Sequence, residues 1–407
     1  MADATDYDLL IVGGGMVGAS LALALTDSSL RIGIVEAVPH TSDSQPSYDD
    51  RAIALAYGSR VILESLGVWQ KLAENVAPIK AIHISDRGHF GTARLHHKKE
   101  RVDALGYVAT SRTIGAAIAD HLEQAPNVEL LCPARLKRIN FSNSCVHIDI
   151  EESLGEGRDE STIRTVSARL LVGADGGRSL VREQLAIGAQ RQDYQQSAII
   201  TNVTPTLAGN NVAFERFTDS GPLAMLPMPG NRYSVVWTVK SSQLADIMAL
   251  NDVAFLSRLQ KKFGYRLGTL KKVGARNAYP LALVRADERV RPRMVLVGNA
   301  VHTLHPVAGQ GFNLGLRDAI VLAQVLRKGV EEDSDIGDIQ LLNRYDKLRS
   351  TDQRFVTAVT DATVRLFSNN FPPLVLLRNL GLLTLDALPQ LKHSFARRAM
   401  GLVYSRS

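Results

Sequence analysis

The chain is 407 residues long, 45% hydrophobic and 22% charged, which describes a folded protein with room for two adjoining cores and excludes a disordered or fibrous one. Its two cysteines, Cys132 and Cys145, are too few for a disulfide framework and fit the reducing cytoplasm. The formal net charge of +6 comes with only two Trp and no recognisable nucleic-acid module, so nucleic acid is not expected as a partner.

The N-terminus carries Asp3, Asp6 and Asp8 ahead of its first apolar run, which is not the pattern of a signal peptide. Tyr7-Asp8-Leu9-Leu10-Ile11-Val12 is apolar without alternation and predicts a buried parallel strand. Gly13-Gly14-Gly15-Met16-Val17-Gly18 follows at once, then a predicted helix over 19–25 and a second strand over 31–35 that ends in Glu36. In such a unit Gly13 permits a tight turn, Gly15 lets the backbone approach a pyrophosphate, and Gly18 lets the helix pack against the strand. The helix N-terminus at Met16 and Val17 offers unpaired N–H groups and a positive dipole end, and Glu36 can accept hydrogen bonds from a ribose. The unit predicts a dinucleotide site without separating NAD from FAD.

Two later glycine motifs make that choice. Leu170-Leu171-Val172 reads as a strand running into Gly173-Ala174-Asp175-Gly176-Gly177-Arg178-Ser179, and a helix begins at Leu180. Met294-Val295-Leu296-Val297 is a strand candidate that enters Gly298-Asn299-Ala300-Val301-His302-Thr303-Leu304-His305-Pro306-Val307-Ala308-Gly309-Gln310-Gly311-Phe312-Asn313. A polar side chain just past that strand can bond a ribitol hydroxyl. The Gly309-Gln310-Gly311 turn brings a helix N-terminus to the pyrimidine side of a flavin, where the reduced ring is anionic.

These three motifs, in this order, resemble the class A flavoprotein monooxygenases of the p-hydroxybenzoate hydroxylase fold over roughly residues 6–350. The resemblance implies an α/β fold: a Rossmann-like FAD-binding domain, an interleaved and mostly antiparallel substrate sheet, and a C-terminal helical region. The expected boundaries are 1–75, 100–183 and 275–335 for FAD binding, 76–99 and 184–274 for the substrate sheet, and 336–407 for the helices. It also implies that Arg51, in Asp49-Asp50-Arg51-Ala52-Ile53-Ala54-Leu55, lies near the flavin. The family carries Asp after the glycine of the third motif. This chain has Asn299, which keeps an acceptor but loses a negative charge.

Further stretches, including Ser85-Asp86-Arg87-Gly88-His89, Phe214-Glu215-Arg216-Phe217 and Gly221-Pro222-Leu223-Ala224-Met225-Leu226-Pro227, are similar to the ubiquinone-biosynthesis branch. That branch implies hydroxylation of a polyprenylated phenol, 2-polyprenyl-6-methoxyphenol first, with other ring carbons open. NAD(P)H reduces the FAD, O₂ gives a flavin C4a-hydroperoxide, and the protein docks the phenol and excludes water. The strand-like stretch 197–237 is expected to wall the substrate pocket, with Met225 and Met228 either lining it or filling core. His302, His305 and Pro306 are expected on the flavin side, bracing or lining it. No residue is identified that deprotonates the phenol, and no metal-ligand spacing is present. NAD(P)H binds transiently, with Asp175 and Arg178 as candidates.

The apolar stretch 371–385 is interrupted by Arg378 and followed by basic residues, so it does not span a bilayer. It reads either as a helix packed on the FAD domain or as one that meets a membrane surface or a protein complex of the same pathway. Against the monooxygenase stand a flavin oxidoreductase that reduces prenyl double bonds without O₂, and a flavin-binding scaffold without catalysis.

Overall fold

The structure, a computed structural model, describes residues 5–39, 51–153, 161–304, 309–367 and 371–402. His305, Pro306 and the Asp49-Asp50 pair therefore lie outside the described residues. In chain order the elements that position the site begin with β1 (Tyr7–Val12), α1 (Met16–Leu23), β2 (Ile32–Val35), β3 (Ala52–Ala56), β4 (Ala81–Asp86) and β5 (Thr92–His96). Next come β6 (Gly106–Thr110), β7 (Val128–Leu131), β8 (Ser161–Gly173), β9 (Ala189–Pro205), β10 (Val212–Thr218), β11 (Gly221–Met228) and β12 (Arg232–Lys240). The last are α2 (Asp252–Phe263), β13 (Asn277–Ala286), β14 (Met294–Leu296), α3 (Gln310–Glu331), α4 (Ile339–Phe367), α5 (Pro372–Ala387) and α6 (Pro389–Ala399).

The parallel core of the first sheet runs β14–β8–β1–β2–β7, and strands at 134–141, 146–153 and 290–291 join it antiparallel. Its strands are apolar on both faces because both are covered. Leu9 and Ile11 of β1 pack with Leu21 and Ala22 of α1 and with Leu316 and Leu322 of α3, while Leu10 and Val12 face Val146, Ile148 and Val181. Helix-bearing parallel strands leave their carboxyl ends open, and all three glycine motifs sit at those ends.

The second sheet runs β13–β9–β12–β11–β10–β4–β5, antiparallel except for the β10–β4 pair. Its two faces differ. On one, Ile199, Leu223, Met225, Val235 and Trp237 pack against Phe255, Leu259 and Phe263 of α2. The other face turns toward the first domain: Ala213 and Met228 meet Ile79 and Val108 alongside Ala52 and Ala54 of β3, and Phe217 with Ala93 meets Phe367 and Leu382. The strand at 277–286, placed by the sequence in the FAD-binding part, instead extends this second sheet through its pairing with β9.

The apolar stretch near the C-terminus is helix α5, and its inner face is polar. Arg378 donates to Asp86 (Nε–Oδ2 2.8 Å), Asn379 Nδ2 donates to the same carboxylate at 2.9 Å, and Asn379 Oδ1 accepts from Gly91 N–H at 2.6 Å. This buried, bonded cluster pins α5 to the β4–β5 edge, while Leu376, Leu377, Leu380 and Leu383 stay exposed. Among the described residues no single helix is long and apolar enough to cross a membrane; α5 and α6 pass that test only as a pair bent by 97°.

Candidate active site

At the end of β1 the chain turns through Gly13, whose φ of +105° is left-handed and whose N–H donates to Val35 O at 2.9 Å. A Cβ on Gly13 would fall 2.6 Å from Ala174 O, and one on Gly18 only 2.0 Å from Gly13 O. Both positions therefore exclude any side chain, as the turn and the helix–strand approach require. Gly15 starts α1 with no side-chain cap, which leaves the helix N-terminus at Met16 and Val17 able to meet an anion.

The three motifs converge. Ala174, from the second, lies against Gly13 and Gly18 of the first. Val17, from the first, lies against Gly298 and Gly315 of the third, 3.1 and 2.9 Å from where their Cβ atoms would be. Gly298 and Gly309 both adopt left-handed φ, +60° and +59°. A Cβ on Gly309 would press on Ala54 of β3, whereas one on Gly311 would meet nothing within 4 Å. Gly311 thus borders open space at the start of α3, which again has no side-chain cap. Asn299, next to Gly298, is exposed.

Glu36 closes the other end. Its carboxylate accepts from Gly14 N–H at 2.7 Å and Val38 N–H at 2.9 Å, and it borders a cavity of about 220 Å³ with Gly14, Ala119, Glu123, Leu130 and Cys132. Cys132 and Glu123 were not found from the sequence. They come from just past β7 and from the end of the helix at 111–122, with no motif to mark them. Burial pushes the Cys132 thiol up to about 11, so it is a neutral wall atom. Asp175 accepts from Val181 N–H at 3.0 Å, yet its Oδ1 is buried with no partner. An elongated cradle with two uncapped helix N-termini, a backbone too close for side chains, and an acid at one end fits FAD.

Three expected site residues take other roles. Asn313 spends its side chain inside the protein: Oδ1 accepts from Ala56 N–H (2.8 Å) and Ser59 Oγ (2.7 Å), and Nδ2 donates to Ala54 O and Gly309 O. It ties the Gly309 turn to β3, and its amide has nothing left for a ligand. Met225 is fully buried and faces α2, so it fills core; Met228, three residues on, is the one that faces the first domain. His302 is buried 3.7 Å from Asp318, which is held by Arg349 (2.7 Å) and Gln353 (2.9 Å). Burial lowers the His302 pKa and keeps the ring neutral, and neither ring nitrogen has a hydrogen-bond partner, so the residue sits in the interior beside Asp318 and not on an open wall. Arg51 joins the two domains, its guanidinium 5.2 Å from the Tyr279 ring centroid on β13.

The domain-facing side of the second sheet supplies further residues, of which only Glu215 falls in a motif singled out in the sequence. Strand alternation puts Ser234, Val236 and Thr238 of β12 opposite to Trp237, and Ala213 and Glu215 of β10 opposite to Phe214. Ser234 Oγ, Thr238 Oγ1 and Glu215 Oε1 are buried without hydrogen-bond partners. The readable signal was Glu215 itself, a carboxylate in a strand face otherwise made of Ala213 and Phe217. A larger cleft of about 450 Å³ lies between β9, β13 and α4; its Arg191, Arg285 and Arg354 suit an anion better than a neutral phenol.

The FAD binding domain family matches residues 6–363. The chain belongs to this FAD-binding family. Its members' cofactor is the one the cradle fits. The chain is 38% identical to ubiquinone hydroxylase UbiL of Rhodospirillum rubrum over 97% of its own length and 89% of that protein. It is 32% identical to 3-demethoxyubiquinol 3-hydroxylase of Escherichia coli over 97% of this chain and 98% of that one. The crystal structure of p-nitrophenol 4-monooxygenase from Pseudomonas putida superposes with a TM-score of 0.80 at 18% identity, covering 98% of this chain and 99% of that one, which shows a shared fold.

Proposed function

We propose that this FAD-binding family member is a flavin-dependent monooxygenase that uses NAD(P)H and O₂ to hydroxylate a polyprenylated phenol of ubiquinone biosynthesis. The observation that carries the reading is the meeting of the flavin cradle with an apolar sheet face that holds orphaned polar atoms. The printed names of the relatives at 38% and 32% identity point the same way. The first ring substrate to test is 2-polyprenyl-6-methoxyphenol, with the neighbouring ring carbons as alternatives.

When bound, FAD supplies the redox chemistry and the activated oxygen. The chain's own residues do the rest. Gly13, Gly15, Gly18 and the α1 N-terminus hold the pyrophosphate, Glu36 the adenosine ribose, and Asn299 and Asp175 the ribitol side. The α3 N-terminus stabilises negative charge on the pyrimidine edge. Arg51 stacked on Tyr279 closes the seam between domains, and the aliphatic face of the second sheet excludes water from the reacting ring. Asp175 and Arg178 border the path offered to the transient nicotinamide donor.

The exposed leucines of α5, followed by Arg397 and Arg398 in α6, fit contact with an anionic membrane surface, where a polyprenyl substrate resides. Truncating α5 would also expose the Asp86 carboxylate, so Leu377→Glu with Leu380→Glu is the cleaner test: flotation with anionic vesicles is lost while the fold is kept. Equal flotation of the variant and the parent would argue against it.

The main reading is tested by supplying the holoenzyme with short-chain prenylphenols and NAD(P)H and analysing the products. A hydroxylated ring is expected. Saturated prenyl bonds and an unchanged ring would instead favour a reductase.

A further inference from the structure

The carboxylate of Glu215 has no assigned part in the reaction just described, and its surroundings are unusual. Across the sheet its neighbours on the same face are Ile84 and Ala93 on one side, Ala224, Val236 and Ile200 on the other. Along its own strand it lies between Ala213 and Phe217. These two belong to the clusters that meet β3 and β6 at one end and Phe367 of α4 with Leu382 of α5 at the other. Glu215 therefore stands in the gap between two packed ends of the sheet face, where the wall opposes the first domain.

The nearest charged groups are spoken for or point away. Asp86, in the next row, is bonded by Arg378 and Asn379. Arg51 on this side lies over Tyr279. His83, Arg94 and Arg216 belong to the opposite face, as the His83 ring against Phe214 shows. Glu215 Oε1 is buried with no hydrogen-bond partner, although the residue as a whole keeps partial exposure. A structural carboxylate in such a place would be paired or replaced by an aliphatic residue, since burying it alone costs several kcal/mol. An unpaired acid facing a site is instead what proton transfer requires.

We propose that Glu215 takes the phenolic proton of the bound substrate, an assignment that rests on the hydroxylase reading above. The O–H bond of the phenol breaks, the proton passes to the Glu215 carboxylate, and the electron pair stays on the phenolic oxygen. There it raises the electron density of the ring carbons ortho and para to it, one of which would form the new C–O bond with one atom of O₂ as the O–O bond breaks, the two electrons coming from NAD(P)H. As the ring regains aromaticity its C–H proton leaves with the second oxygen atom as water, and Glu215 returns its proton to the phenolic oxygen, leaving a neutral product and the carboxylate. Burial alone raises the Glu215 pKa to about 7, close to the value at which an acid both accepts a proton from a phenol and returns it. Ser234 Oγ and Thr238 Oγ1, orphaned on the same face, are placed to orient further substrate oxygens.

The test uses the FAD-loaded enzyme with a short-chain 2-prenyl-4-cyanophenol, whose phenolate absorbs at longer wavelength than the phenol. In the parent protein hydroxylation rises with pH through about 7, where the carboxylate loses its own proton and can take that of the phenol. In Glu215→Gln the probe binds with similar affinity, hydroxylation falls by ~10²-fold or more, and this pH dependence is lost, the residual rate rising only as the phenol itself ionises. Glu215→Asp restores part of the rate and of its pH dependence, which a packing role would not do. A Glu215→Gln enzyme that hydroxylates at the parent rate, or keeps the parent pH profile, overturns the assignment and leaves the hydroxylase reading intact. A parent enzyme that forms no hydroxylated ring at any pH overturns the hydroxylase reading instead.

Discussion

The two walls of the site are built on different principles. The flavin side is made of backbone: glycines that exclude a Cβ, and helix N-termini that present N–H groups. The substrate side is made of side chains on a twisted sheet, where the same strand sends Met225 against α2 and Met228 against the first domain. Backbone sites tolerate almost nothing but glycine, whereas side-chain walls can vary while the fold stays the same. The difference teaches where function is fixed and where specificity can change.

The largest expected effect breaks the backbone side. Gly18→Val places carbon where Gly13 O already stands, so the turn and α1 cannot both remain. The expected outcome is loss of bound flavin, read as flavin absorbance per protein in the purified sample. A yellow, fully loaded Gly18→Val protein would show that the turn is not the pyrophosphate site.

Next in size is the clamp between the sheet and α5. Arg378→Ala leaves Asp86 buried without its cation, which costs ~3–5 kcal/mol, and thermal unfolding shows it directly. Little change in melting would mean that α5 is held by its apolar contacts alone.

Met225→Ala against Met228→Ala sharpens the contrast between the two sheet faces. Both are buried, so each costs ~2–5 kcal/mol of stability; the first leaves substrate choice alone, and the second, at the seam with the first domain, also alters the preferred prenyl substrate. Identical product profiles for the two would erase the distinction.

A smaller effect follows from Glu215. Its folded-state pKa, about 7, lies above the ordinary 4.5, so the folded protein prefers the protonated acid. That preference contributes stability fully below the unfolded pKa and is lost as pH rises through about 7. Glu215→Gln, fixed in the neutral form, is therefore expected to melt higher than the parent at alkaline pH, by ~2–4 °C for each kcal/mol of linkage recovered, and alike near the unfolded pKa. A variant less stable at alkaline pH would mean the carboxylate is paired after all.

How much of this was readable beforehand follows the same division. The turn at Gly13, Gly15 and Gly18 and the position of Glu36 beside it were legible from order and spacing because the constraint is local: each acts within one strand–turn–helix–strand unit. The meeting of Val17 with Gly298 and Gly315 depended on a family resemblance, since nothing in the spacing of residues so far apart fixes their contact. Asn313 was misread because its four bonds run to Ala54, Ala56, Ser59 and Gly309, three of them on distant chain. His302 reads as a pocket residue by position, but it is buried beside Asp318, which lies on α3 and is not near it in the motif. The facing of Met225 and Glu215 needed strand register, which a one-residue slip would have inverted.

The account turns on one oxygen atom. Turnover of a short-chain prenylphenol by the holoenzyme under oxygen-18 gas, with the product weighed by mass spectrometry, is expected to show a single labelled atom on the aromatic ring for each NAD(P)H consumed in coupled turnover. An unlabelled product, or prenyl reduction that continues without O₂, would contradict it.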